Sequence, residues 1–176
     1  YPSHTTLIWF NDVLEGLKKN GSFLLNTIWT PEEVEEKLPA SMKKFIAENN
    51  ISFYTLNAVN IAQEIGLDRR INMIMQAAFF KIADIIPVED AIKYLKQAVV
   101  TSYGKKGEKV VNMNNAAIDA GVQAIVKIDV PASWATATSN DEAAATTDLP
   151  EFIKEIVEPM NRQQGDTIPV STFIKN

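Results

Sequence analysis

Apolar residues run along this chain in two rhythms. Short unbroken runs alternate with longer stretches in which apolar side chains recur every three or four positions. Ser22 to Asn26 (SFLLN) is a continuous apolar run, the mark of a strand covered on both faces. Ile51 to Leu56 (ISFYTL) is β-branched and aromatic and predicts a second strand. Thr6 to Phe10 predicts a strand ahead of both, and Val126 to Val130 alternates as an edge strand would.

Helices are predicted between these runs. Asn11 or Asp12 caps a short helix carrying Val13, Leu14 and Leu17, stopped by Asn20-Gly21. Thr30-Pro31-Glu32-Glu33 combines a capping hydroxyl, a first-turn proline and an acid at the third position. Pro39-Ala40-Ser41 breaks and restarts that helix, which reaches Asn49-Asn50. Asn57 to Ile65 is helical and ends at Gly66. Ile71 to Asp84 is apolar nearly all round, which predicts burial. Pro87 opens a helix with Val88, Ala91, Ile92, Leu95, Ala98 and Val99 at helical spacing, ending at Tyr103-Gly104. Gly107 to Ala124 is the last long helix, interrupted or weakened at Gly121.

Strands separated by helices predict an α/β fold: a three-layer α/β/α domain with a small, mostly parallel sheet and an extended C-terminal tail. The predicted division is a domain over 1–134, a linker over 135–148, and a short helix with an extended segment over 149–176. Ala135 to Thr147 is small and polar without apolar period, as a linker is. Leu149 to Val157 forms the short amphipathic helix. The chain opens on Tyr1-Pro2 and closes beyond Pro169-Val170-Ser171, and both ends are expected to be cuts from a longer polypeptide.

Composition narrows the chemistry. Of 176 residues, 46% are hydrophobic and 22% charged, enough apolar content for a folded core. A net charge of −5 argues against a general nucleic-acid binder. No apolar run reaches the roughly 18 residues of a membrane span. There is no cysteine, hence no thiolate nucleophile and no cysteine-held cluster, which suits the cytoplasm. His4 is the single histidine, so with no cysteine the usual zinc sites cannot be built, and a Ser-His-Asp triad would have to rest on His4. Glu32, Glu33, Glu35 and Glu36 resemble a metal cluster, yet acids at a helix start follow from the helix dipole alone.

Amides stand out instead. Asn72 and Gln76 lie four apart on an apolar helix and would need buried partners. Asn112, Asn114 and Asn115 follow the loop Gly104-Lys105-Lys106-Gly107, in what reads as the first turn of the next helix. Two readings stay open: helix capping with interhelical hydrogen bonds, or the lining of a cleft for a polar ligand. The lysine loop lacks the spacing of a phosphate-binding fingerprint, but can attract an anion. Arg69 and Arg70 form either a solvated pair or structural salt bridge, or an anion clamp.

These same stretches carry a resemblance. Ser22-Phe23-Leu24-Leu25-Asn26, Leu38-Pro39-Ala40, Phe53-Tyr54-Thr55-Leu56-Asn57-Ala58, Arg70-Ile71-Asn72-Met73-Ile74-Met75-Gln76 and Val111-Asn112-Met113-Asn114 together resemble pyruvate:ferredoxin (flavodoxin) oxidoreductases. Leu149-Pro150-Glu151-Phe152, Gln163-Gln164-Gly165-Asp166 and Pro169-Val170-Ser171 are similar to the segment leading to that family's cluster domain. The resemblance covers residues 7–134 and 149–173 and implies the γ-type domain.

It implies that the full enzyme converts pyruvate, coenzyme A and an oxidised acceptor into acetyl-coenzyme A, CO2 and the reduced acceptor, which is ferredoxin or flavodoxin. It also implies thiamine diphosphate, magnesium and 4Fe–4S clusters held elsewhere in the polypeptide, a homodimer, and partners among the other domains of the same chain. This piece would hold no cofactor and be inactive alone. A glycine-rich phosphate-contacting stretch normally opens the γ-type domain and is not in this sequence. What carries over as a coenzyme A contact set is Arg70, Asn72, Asn112 and Asn114, with Lys105 and Lys106 as further attraction for phosphates.

Overall fold

The computed structural model describes residues 13–138, 150–161 and 165–175. Strands β1 (Ser22–Asn26) and β2 (Ser52–Leu56) pair in parallel, Phe23 beside Phe53 and Asn26 beside Leu56. Strand β3 (Val126–Ile128) pairs antiparallel with β2, Ile128 beside Phe53. The order β1-β2-β3 puts β2 in the centre. The sheet is therefore mixed, with one parallel and one antiparallel pairing among the described strands.

Alternation along the strands assigns side chains to two cores. Phe23, Leu25 and Phe53 face one side, where Val34 and Leu38 pack from helix α1 (Pro31–Lys37) and its end, and Met42 and Ile46 from α2 (Ala40–Glu48). The rings of Phe23 and Phe53 stack at 5.4 Å. Trp134, in a 3-10 turn over Ala132–Thr136, closes that side. Leu24 and Leu56 face the other side. There they meet Ala58 and Ala62 of α3 (Ala58–Ile65), Ile74, Met75 and Ala78 of α4 (Asn72–Ala83), and Ala117 of α6 (Glu108–Gln123). Helix α5 (Val88–Tyr103) lies outside and reaches in through Val99, against Ala77 and Ile118. Helices on both faces of the sheet make a small three-layer α/β domain.

Local chemistry fixes the element ends. Thr30 and Glu33 form a reciprocal capping box at α1, with Pro31 in the first turn. The Glu33 carboxylate is held below the usual carboxylate range by its bond from Lys37 and by the Thr30 backbone N–H. Asn57 Oδ1 accepts from Asn60 N at 3.0 Å and caps α3. Gly66, at φ +88°, ends that helix in the left-handed conformation that glycine adopts freely. Buried Asn26, at the end of β1, accepts the backbone N–H of Ala58 at 3.0 Å. That bond ties the β1 terminus to the start of α3.

Several expectations are corrected. Residues 13–16 form a turn rather than a helix, because Gly16 takes φ +78° and leaves the helical path after one turn. The predicted strand Thr6 to Phe10, its neighbours Asn11 and Asp12, residues 139–148 of the predicted linker and Leu149 at the start of the predicted short helix lie outside the described residues. Helix α6 is unbroken at Gly121. A Cβ at that position would lie 2.9 Å from Ile74 Cα, so the glycine serves close helix packing. The contact offsets the roughly 1 kcal/mol that glycine costs inside a helix relative to alanine. The tail is helical where described: residues 151–161, with a π turn at Ile153–Val157 running into α7 (Glu158–Asn161), then α8 (Val170–Lys175). Pro169, expected in an extended stretch, precedes α8, and its carbonyl accepts from Thr172 N at 2.9 Å.

Replacing Asn26 with Ala strands the buried Ala58 N–H, and unfolding free energy should fall by about 1–3 kcal/mol. Denaturant melts read this directly; a loss under about 0.5 kcal/mol means the N–H has found another acceptor. Acid should loosen α1. A depressed carboxyl contributes its stabilisation above its unfolded value and loses it as pH falls through the folded one. Amide exchange at the start of α1 should therefore accelerate below the ordinary carboxylate range, and Glu33→Gln should flatten that dependence.

Candidate functional site

Asn72 is the first residue of α4, and its predecessor Ile71 offers no side-chain cap. Asn72, Gln76 and Phe79 recur at helical spacing and form an exposed stripe, whereas Ile74, Met75, Ala77 and Ala78 are buried. This corrects the expectation that α4 is buried all round and that its amides need interior partners. Water can satisfy them, so they impose no penalty on the fold.

Helix α6 begins at Glu108, which places Asn112, Asn114 and Asn115 in the second turn rather than the first. Asn112 is exposed. Asn114 is buried, and its Nδ2 donates to Val110 O at 2.8 Å, one turn back on the same helix. Asn115 Oδ1 is buried and has no hydrogen-bond partner among the described residues. Arg70 is exposed, but its Nε folds back to donate to Leu67 O at 3.0 Å. Lys105 and Lys106 sit in an exposed 3-10 turn between α5 and α6, with Lys106 Nζ 5.4 Å above the Tyr103 ring. Gly107, at φ +99°, opens α6 in a conformation that side-chain-bearing residues rarely adopt.

Packing brings these segments together even though hydrogen bonds do not. Met113, between Asn112 and Asn114, lies under Gly66: a Cβ there would be 3.3 Å from Met113 Cε. Ile71 and Met73, the neighbours of Asn72, pack on the same hydrophobic cluster as Met113. The loop carrying Arg70, the first turn of α4 and the second turn of α6 therefore share one support. Among the described residues, no hydrogen bond joins Arg70, Asn72, Asn112 and Asn114 to one another.

The other groups singled out in the sequence fall elsewhere. His4 lies outside the described residues. Glu32 and Glu33 serve the start of α1, where backbone and hydroxyl hydrogen bonds lower the Glu32 carboxyl. Among the described residues, no group of three His, Cys, Asp or Glu side chains could hold a metal, and no helix is long and apolar enough to cross a membrane. The structure adds a cleft that the sequence did not announce. It has a volume of about 450 Å³, lies between Val13, Leu17, Phe23, Leu24, Phe79 and Ile82, and is mostly apolar. Its signal was Phe79, an aromatic on the amide-bearing stripe of α4.

Comparison with known proteins bears on what such a domain belongs to. The family model described as pyruvate ferredoxin/flavodoxin oxidoreductase matches residues 4–124, and a model for a domain of unknown function matches 138–176. The chain is 56% identical over 163 residues to a pyruvate:ferredoxin oxidoreductase of Moorella thermoacetica, covering 92% of this chain and 14% of that protein. It is 54% identical over 161 residues to a pyruvate-flavodoxin oxidoreductase of Enterobacter agglomerans, again 92% of this chain and 14% of the relative. A mitochondrial pyruvate dehydrogenase [NADP(+)] of Euglena gracilis is 38% identical over 164 residues, covering 92% of this chain and 9% of that protein. The crystal structure of pyruvate oxidoreductase subunit PORC from Thermotoga maritima superposes with a TM-score of 0.51 at 20% identity, over 66% of this chain and 57% of that one, which speaks to the fold. The chain thus spans about one seventh of its bacterial relatives' length, and over that span it belongs to the pyruvate ferredoxin/flavodoxin oxidoreductase family.

Proposed function

We propose that this chain is the γ-type part of an oxidoreductase that converts pyruvate and coenzyme A to acetyl-coenzyme A and CO2, with ferredoxin or flavodoxin as acceptor. Its own role is to orient coenzyme A. The observation that carries this reading is the placement of Asn72 and Asn112. Both are exposed, both flank a shared hydrophobic support, and neither side chain hydrogen-bonds to another described residue. The fold makes no use of these amides, which leaves them available to a ligand.

The chemistry matches in kind. An amide side chain can donate to and accept from the pantetheine amides of coenzyme A. Arg70, Lys105 and Lys106 carry exposed positive charge suited to its phosphates. None of these groups makes or breaks a bond; their contribution is to hold the thiol acceptor in register with the reacting centre. A chain without cysteine does not fit a thiolate-held cluster, and no step of the proposed role runs through one. Thiamine diphosphate, magnesium and the clusters belong to other parts of the polypeptide in this reading.

Asn114 favours a second reading for itself. It is buried and its amide nitrogen is spent within its own helix, so its part is to hold the α6 turn.

The two roles separate experimentally. In the complete oxidoreductase, Asn72→Ala and Asn112→Ala should each raise KM for coenzyme A about three- to tenfold, with KM for pyruvate unchanged. Both should leave stability within about 0.5 kcal/mol, as exposed substitutions do. Asn114→Ala should lower stability by about 1 kcal/mol through its lost hydrogen bond. An unchanged KM for coenzyme A in both exposed variants would remove the amides from the site.

A further inference from the structure

The two exposed amides stand on different helices, so their spacing depends on how α4 meets α6. Among the described helices this is the most extensive pairing, and it is tightest at Gly121. A Cβ built there would lie 2.9 Å from Ile74 Cα, 3.0 Å from Ile74 C, and closer still to Ile74 O. All three are backbone atoms. A flexible side-chain tip could swing aside, but a helix backbone must move as a unit. Ile74 is two residues beyond Asn72, so any such movement falls on the turn that bears the amide. One residue past Gly121, Val122 O accepts from Lys81 Nζ at 2.7 Å, a second tie between the same two helices.

We infer that Gly121 is a positioning residue. By admitting the Ile74 backbone, it sets the separation of Asn72 on α4 from Asn112 on α6, and with it the fit to coenzyme A. The inference rests on the reading that these amides orient that ligand. Gly121 itself is buried, so its effect passes through the helix crossing. Lys81 reinforces the same crossing from the exposed side.

The test is kinetic, in the complete oxidoreductase. Gly121→Ala should raise KM for coenzyme A about tenfold, equivalent to losing one or two hydrogen bonds, with KM for pyruvate unchanged. Val99→Ala, which opens the core beneath α5, supplies a control of comparable thermal destabilisation. It should leave KM for coenzyme A alone. Equal KM shifts in the two variants would reduce Gly121 to a packing residue and overturn the inference. Should Gly121→Ala fail to fold, Lys81→Met decides: a two- to threefold rise in KM for coenzyme A, reversed in Lys81→Arg, supports the inference, and an unchanged KM overturns it. The underlying reading has its own failure. If Asn72→Ala and Asn112→Ala leave KM for coenzyme A unchanged, the amides are not in the site. If they raise it and both Gly121→Ala and Lys81→Met do not, only the positioning role falls.

Discussion

Side chains of β1 and β2 point alternately into two separate cores, and this two-sided burial is the constraint on which the domain depends. Leu25 and Phe53 are fully buried on the face covered by α1, α2 and Trp134, while Leu24 and Leu56 are buried on the face covered by α3, α4 and α6. A one-residue slip in either strand would exchange the two sets. Because the period is strict, the register of five residues fixes which helices cover which face. The helices then need only short connections to reach their places.

The carboxyl ends of the parallel strands are tied by polar groups. Asn26 accepts from Ala58 N, and Thr27 N donates to Leu56 O at 3.0 Å. The second bond prolongs the parallel ladder, and the first satisfies a backbone N–H beyond the sheet and places the start of α3. Gly66 then turns the chain toward Arg70 and α4, with Met113 of α6 packed against the turn. The proposed ligand face is therefore built on two helices and one loop, each anchored in the same hydrophobic cluster. Rigid support of this kind suits a group whose task is alignment, since misplacement by an ångström weakens positioning severely.

Much of the architecture was legible in the chain. SFLLN and ISFYTL announced the two parallel strands, and the Thr30 box, Gly66 and Pro87 announced helix ends, because each signal is local backbone chemistry. The candidate site was legible as a set of residue types and only partly as geometry. Asn72 and Gln76 looked like interior amides because α4 is rich in Met, Ala and Phe. The structure turns their stripe outward, since the opposite stripe of Ile74, Ala77 and Ala78 already fills the space against the sheet and α6. Asn114 shows the reverse: it faces inward and satisfies its nitrogen on its own helix.

Sequence by itself determined the two parallel strands, the helices between Pro31 and Gln123, the ends at Thr30 and Gly66, the absence of thiol chemistry and, through separated motifs in order, the family. Those are properties of residues and their near neighbours, and they survive without knowing which faces meet. Tertiary structure alone decided that β3 joins antiparallel, that Gly121 marks a close crossing rather than a weak helix, and which amides face water. Each of these depends on contacts between segments distant in the chain. Helical periodicity identifies an apolar stripe, but which stripe is covered depends on the partner that packs against it.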